Sequence, residues 1–68
     1  MSPAKTPGEI LDVALKKEEA AYRFYDRMLL GSRIEVVREF LEQLREEEGK
    51  HVRMIQRKMA DLRLGRIR

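Results

Sequence analysis

Apolar residues recur along most of this chain at intervals of three or four, the spacing that lines one face of an α-helix. Two such runs are present. In the first, Leu11, Leu15, Tyr22, Tyr25 and Leu29 form a stripe, with Ile10, Val13, Ala20, Ala21, Phe24 and Met28 spreading onto its flank. In the second the stripe is Ile34, Val37, Leu41, Leu44, Ile55, Met59 and Leu62. Local signals bound both runs. Thr6-Pro7-Gly8-Glu9 supplies an N-cap threonine, a proline at the first helical position and a glutamate at the third, the capping-box pattern that starts helix one. Gly31 suits a left-handed helix end, and Ser32 with Glu35 repeats the capping box, so helix two follows at once. Gly65 marks its end.

These signals predict helix one over about 7–30, helix two over about 33–64, a flexible lead-in over 1–5 and a short basic tail over 65–68. No strand-like alternation, internal repeat or low-complexity linker interrupts them. The fold class is all-α. A connection this short makes the helices antiparallel neighbours, so residues 1–68 read as one helical hairpin.

Both stripes contain ionisable intruders. Glu18 occupies an inward position of the first, and Glu48 and His51 occupy two of the second, between Leu44 and Ile55. Burying an unpaired carboxylate costs several kcal/mol or forces a large pKa shift, so inward groups of this kind need a compensating partner. A bound metal ion is the most economical one. At about 1.5 Å rise per residue, Glu18 lies roughly 20 Å from the turn along helix one, Glu48 roughly 24 Å and His51 roughly 28 Å along helix two. The three side chains therefore converge at one level of the hairpin. Tyr25 lies two turns nearer the loop and its ring leans back towards the carboxylates, where its hydroxyl is a candidate hydrogen-bond donor to one of them. Glu47 is within helical reach of His51 but displaced about 100° from Glu48, so it reads as a flanking carboxylate.

Composition narrows the chemistry. The 68 residues include no cysteine, which removes disulfides, thiolate zinc sites and iron–sulfur or rubredoxin-type centres together. Oxygen and nitrogen ligands suit iron or manganese, and zinc fits the same cage. No apolar run reaches the roughly 18–20 residues of a membrane span and no signal-peptide pattern is present, so the expectation is a soluble, cytoplasmic chain. The net charge of +3 is uneven: six glutamates face Arg38 and Arg45 between Glu35 and Glu48, and six basic residues face Asp61 between Arg53 and Arg68. The helix macrodipole favours that polarity. The basic run lacks interleaved aromatics for base stacking, so no nucleic-acid partner is expected.

Each helix carries more apolar surface than one neighbour covers. Val36, Phe40, Val52 and Met54 flank the second stripe as Ile10, Val13, Phe24 and Met28 flank the first. The expectation is a homodimer or a higher even-numbered oligomer in which two hairpins form a four-helix bundle. Doubling Glu18, Glu48 and His51 yields four carboxylates and two imidazoles inside such a bundle, the ligand set of di-iron carboxylate proteins.

With Glu18-x6-Tyr25 on helix one and Glu48-Gly49-Lys50-His51 on helix two, the chain resembles the ferritin-like superfamily, including bacterioferritins and rubrerythrins, over residues of about 8 to 62. Ordinary members carry four helices per chain, so this one looks like the half-size ferritin-like proteins, some packaged in encapsulin shells, whose di-iron centre forms between subunits. The resemblance implies iron ligation by Glu18, Glu48 and His51, with Glu48 a candidate bridge and Tyr25 and Glu47 behind them. It implies Fe(II) oxidation by oxygen or peroxide. The tail Asp61-Leu62-Arg63-Leu64-Gly65-Arg66-Ile67-Arg68 resembles encapsulin cargo-targeting peptides, which would make a shell a partner and its lumen a compartment. Gly49 departs from the motif and costs about 1 kcal/mol in a helix, marking a close approach or added room.

Three functions fit these residues: a dimer-assembled ferroxidase, a peroxide or oxygen scavenger using the same centre, and a non-catalytic helical interaction module whose inward charges pair across an interface. A lone Glu-x-x-His is commonly a solvated surface pair. Inward placement with Glu18 at the matching level favours metal.

Overall fold

The computed structural model describes residues 6–65, which form two helices, α1 (Pro7–Gly31) and α2 (Glu35–Arg63), packed side by side as an all-α hairpin. The lead-in and the last three residues of the tail lie outside the described residues. Helix α1 starts where its capping box requires. The Glu9 amide donates to Thr6 Oγ1 at 3.1 Å, and the Thr6 amide donates to Glu9 Oε1 at 3.3 Å. Pro7 at the first turn forfeits no hydrogen bond there. At the far end of α2, Gly65 takes φ 70°, and its amide donates to the Leu62 carbonyl at 3.2 Å, the left-handed ending read from the sequence.

The turn is built differently from its sequence signals. Gly31 stays helical as the last residue of α1, and Ser32 is extended with φ −95° and ψ 133°. Ile34 caps α2 with no side-chain hydrogen bond, so the Ser32/Glu35 capping box does not form and the helix begins at Glu35 instead of about residue 33. Arg38 explains the change. Its Nη1 reaches back from the first turn of α2 to donate to the carbonyls of Leu29 (2.6 Å) and Ser32 (3.0 Å). Those are α1 C-terminal acceptors that a left-handed glycine would otherwise help to satisfy. A cation also belongs at that negative helix end.

The seam between the helices is narrow. Leu29 (5 % exposed) and Leu41 (8 %) are buried, while Leu11, Leu15, Leu44, Ile55, Met59 and Leu62 are half-buried. Tyr22, expected on the inward stripe, is exposed, as are Ile34 and Val37 near the turn. One layer of two helices buries only the positions along their line of contact. On the flanks, Ile10, Val13, Phe24, Met28, Val36, Phe40 and Met54 are all exposed. No described helix is long and apolar enough to cross a membrane.

Candidate metal centre

Glu18 sits near the middle of α1, and Glu48 and His51 one turn apart near the middle of α2. A three-residue step sets Glu48 and His51 on neighbouring parts of one helix face. Antiparallel packing brings Glu18 to the same level. One ligand atom from each of the three residues lies within 4.8 Å of the other two. His51 Nδ1 is 3.4 Å from Glu18 Oε2 and 3.5 Å from Glu48 Oε2. Neither contact has the length of an ordinary N–H···O hydrogen bond. The side chains of Glu48, Glu18 and His51 are 18 %, 29 % and 45 % exposed respectively, so the cluster is covered by the hairpin on the carboxylate side and open at the imidazole.

Glu48 Oε2 decides how well a cation fits. It is buried and has no hydrogen-bond partner. Leaving such an acceptor unsatisfied costs about 1–3 kcal/mol, more when it is charged. A metal ion held jointly with Glu18 and the His51 imidazole removes that cost, and two carboxylates with one nitrogen form a donor set suited to iron, manganese or zinc. The residues present fit a metal.

The flanking residues fall elsewhere. Tyr25 is half-buried on α1 with its ring edge-on to Phe24 at 5.4 Å between centroids. Its hydroxyl makes no hydrogen bond to Glu18 or Glu48. Glu47 lies outside the cluster, half exposed, 3.8 Å from Lys50. The 100° offset that separates it from Glu48 carries it off the seam.

A second group of side chains meets across the two helices. The Arg45 guanidinium lies 6.0 Å from the centre of the Tyr22 ring and is hydrogen-bonded to Asp26 across the helices. That hydrogen bond, opposed by desolvation and aided by the nearby charges, holds Arg45 above its already high ordinary pKa, so it stays cationic. Gly49 faces the same ring: a Cβ built there would lie 3.5 Å from a Tyr22 ring carbon and 3.5 Å from Arg53 Nη1. Sequence periodicity did not disclose this Tyr22–Arg45–Asp26 group. The bare glycine within the Glu-x-x-His step was its one visible trace.

Residues 9–68 match the model of the Rubrerythrin family, nearly the whole chain. The chain belongs to the Rubrerythrin family. This is a ferritin-like di-iron domain family, and the all-α hairpin and its Glu/His cluster accord with membership. No match was found among curated proteins or among solved structures.

Proposed function

We propose that this member of the Rubrerythrin family is a ferroxidase, oxidising Fe(II) with oxygen or peroxide at a site that two hairpins complete together. The observation that carries the reading is the convergence of Glu18, Glu48 and His51 around a buried carboxylate oxygen with no partner of its own. One hairpin offers three ligand groups and leaves the imidazole side open. A second copy supplies another three. The doubled set brings four negative charges to two Fe(II) ions, which balances them. Oxidation to two Fe(III) adds two positive charges, which hydroxide or oxide derived from the oxidant or from water would neutralise. The iron pair is the substrate and supplies two electrons to one oxidant molecule. Glu18 and Glu48 bind the ions, His51 fixes their position, and the surrounding apolar side chains limit water.

The exposed apolar side chains Ile10, Val13, Phe24, Met28, Phe40 and Met54 support the second copy. Storage of iron as mineral would require a higher oligomer or an enclosing shell, because one hairpin has no interior volume for it.

Native mass spectrometry after anaerobic Fe(II) loading tests the reading. The expected result is an even-numbered oligomer with two irons per pair of chains, lost in His51→Ala, followed by ferric product on admitting oxygen. Rapid peroxide turnover with an external reductant and little ferric product would transfer the same centre to the scavenging role. An assembly indifferent to iron would leave the helical interaction module.

A further inference from the structure

The two helices leave a charged cleft between them at Gly49. Its volume is about 330 Å³, and it is lined by Glu19, Tyr22 and Arg23 of α1 and by Gly49, Val52 and Arg53 of α2. Gly49 contributes bare backbone. A Cβ built there would stand 3.5 Å from a Tyr22 ring carbon and 3.5 Å from Arg53 Nη1, so a side chain longer than alanine's would enter the space. The glycine keeps the cleft open.

The charges lining it are unmatched. Elsewhere in the hairpin Arg38 is hydrogen-bonded to the carbonyls of Leu29 and Ser32, and Arg45 to Asp26. Arg23 and Arg53 make no ion pair and no side-chain hydrogen bond among the described residues, and neither does the Glu19 carboxylate. Glu19 and Arg23 are four residues apart on one helix, a spacing at which opposite charges commonly meet. Here both line the cleft without joining.

Two guanidiniums and a carboxylate around one space select an anion by its protons. The guanidinium fork presents its donors in the geometry of phosphate oxygens. A carboxylate repels an anion unless that anion carries an acidic O–H, which it then accepts in a hydrogen bond about twice as strong as a neutral one. Near neutral pH inorganic phosphate keeps at least one such proton. Sulfate has none, and a phosphate monoester loses its last at about pH 6. Ordinary carboxylic acids are ionised as well. We propose that the Gly49 cleft binds free hydrogen phosphate, with Arg23 and Arg53 donating to its oxygens and Glu19 accepting from its P–OH group. The ion then joins α1 to α2, since Arg23 belongs to one helix and Arg53 to the other. This site does not depend on a metal at Glu18, Glu48 and His51.

Calorimetric titration of the metal-free full chain, at constant ionic strength just above neutral pH, tests the site with inorganic phosphate, sulfate and methyl phosphate. Phosphate is expected to bind at least about tenfold more tightly than either of the others, and to raise the melting temperature where an equal concentration of sulfate does not. Arg23→Gln and Arg53→Gln are each expected to weaken phosphate about tenfold or more with helicity by circular dichroism unchanged. Glu19→Gln, whose amide also donates, is expected to admit sulfate, so that the two anions bind about equally. Sulfate or methyl phosphate binding the unaltered chain as tightly as phosphate does would overturn the proposal, because general attraction to a basic protein would then account for both. A phosphate affinity indifferent to both arginine variants, or no binding of phosphate at all, overturns it too. Because every measurement is made without iron, failure of the chain to bind Fe(II) would sink the ferroxidase reading and leave these outcomes as they stand.

Discussion

At the level of Glu18 and Glu48 the two sides of the hairpin are made of different material. On one side Tyr22, Gly49, Arg45 and Asp26 bring together an aromatic ring, a bare backbone position and a cross-helix hydrogen bond. On the other side His51 is 45 % exposed, and Phe24, Phe40 and Met54 carry about half of their surface in water. The polar side makes its hydrogen bond within one chain. The other side presents an imidazole and exposed apolar residues. Under the proposed function, a metal centre at that boundary depends on association on its imidazole side.

The contrast is broken most sharply at Glu48. Glu48→Leu is expected to abolish iron binding while stabilising the metal-free chain by about 1–3 kcal/mol, since it replaces a buried, unpartnered acceptor by packing. Iron stoichiometry and thermal melting in chelator read the two effects. A melting temperature that falls would mean Oε2 has a partner that the hairpin alone does not supply.

Next in size is a charge on each side. Phe24→Asp removes an exposed aromatic whose burial in the proposed interface would be worth about 2–3 kcal/mol, and it would desolvate a carboxylate there, so dimerisation is expected to weaken at least about 100-fold. Arg23→Asp, on the polar side, should leave it unchanged. Sedimentation equilibrium distinguishes them, and equal effects would show that both sides are interfaces.

Arg38→Ala lies outside both sides and calibrates the turn. Two charge-assisted hydrogen bonds to carbonyls are lost, at an expected cost of about 1.5–3 kcal/mol in denaturant unfolding. A loss near zero would mean that water replaces the guanidinium at Leu29 and Ser32. Smallest is Gly49→Ala. The added Cβ makes only ordinary contacts with Tyr22 and Arg53, so the helix-propensity gain of about 1 kcal/mol should appear as higher stability with iron binding unchanged. A destabilised variant would show that the contact between Gly49 and the Tyr22 ring is too tight for a methyl group.

What could be read without coordinates follows the range of the forces involved. The capping box at Thr6 and Glu9 and the left-handed end at Gly65 are local, and local chemistry decides them. Convergence of Glu18, Glu48 and His51 was also legible, because a short turn and a constant rise per residue leave little freedom in register. Gly31 and Ser32 misled because Arg38, six and seven residues further on, takes over the capping of α1. Tyr25 was placed by the lean of helical side chains towards the N-terminus and Glu47 by helical reach, and neither specifies a contact: within one hairpin the Tyr25 ring lies edge-on to Phe24 and the Glu47 carboxylate lies 3.8 Å from Lys50. Tyr22 read as core because periodicity does not report how wide a contact stripe is.

The sequence by itself determined two helices, their antiparallel pairing and the level at which three ionisable side chains meet, because helix periodicity and chain connectivity are sufficient for each. The tertiary structure alone decided that Arg38 caps the end of α1, that Arg45 meets Asp26 and Tyr22 across the helices, and that Glu48 keeps a buried oxygen without a partner. Those depend on which atoms come within about 3–4 Å across the seam, where hydrogen bonds and packing act, and no spacing along one chain specifies that.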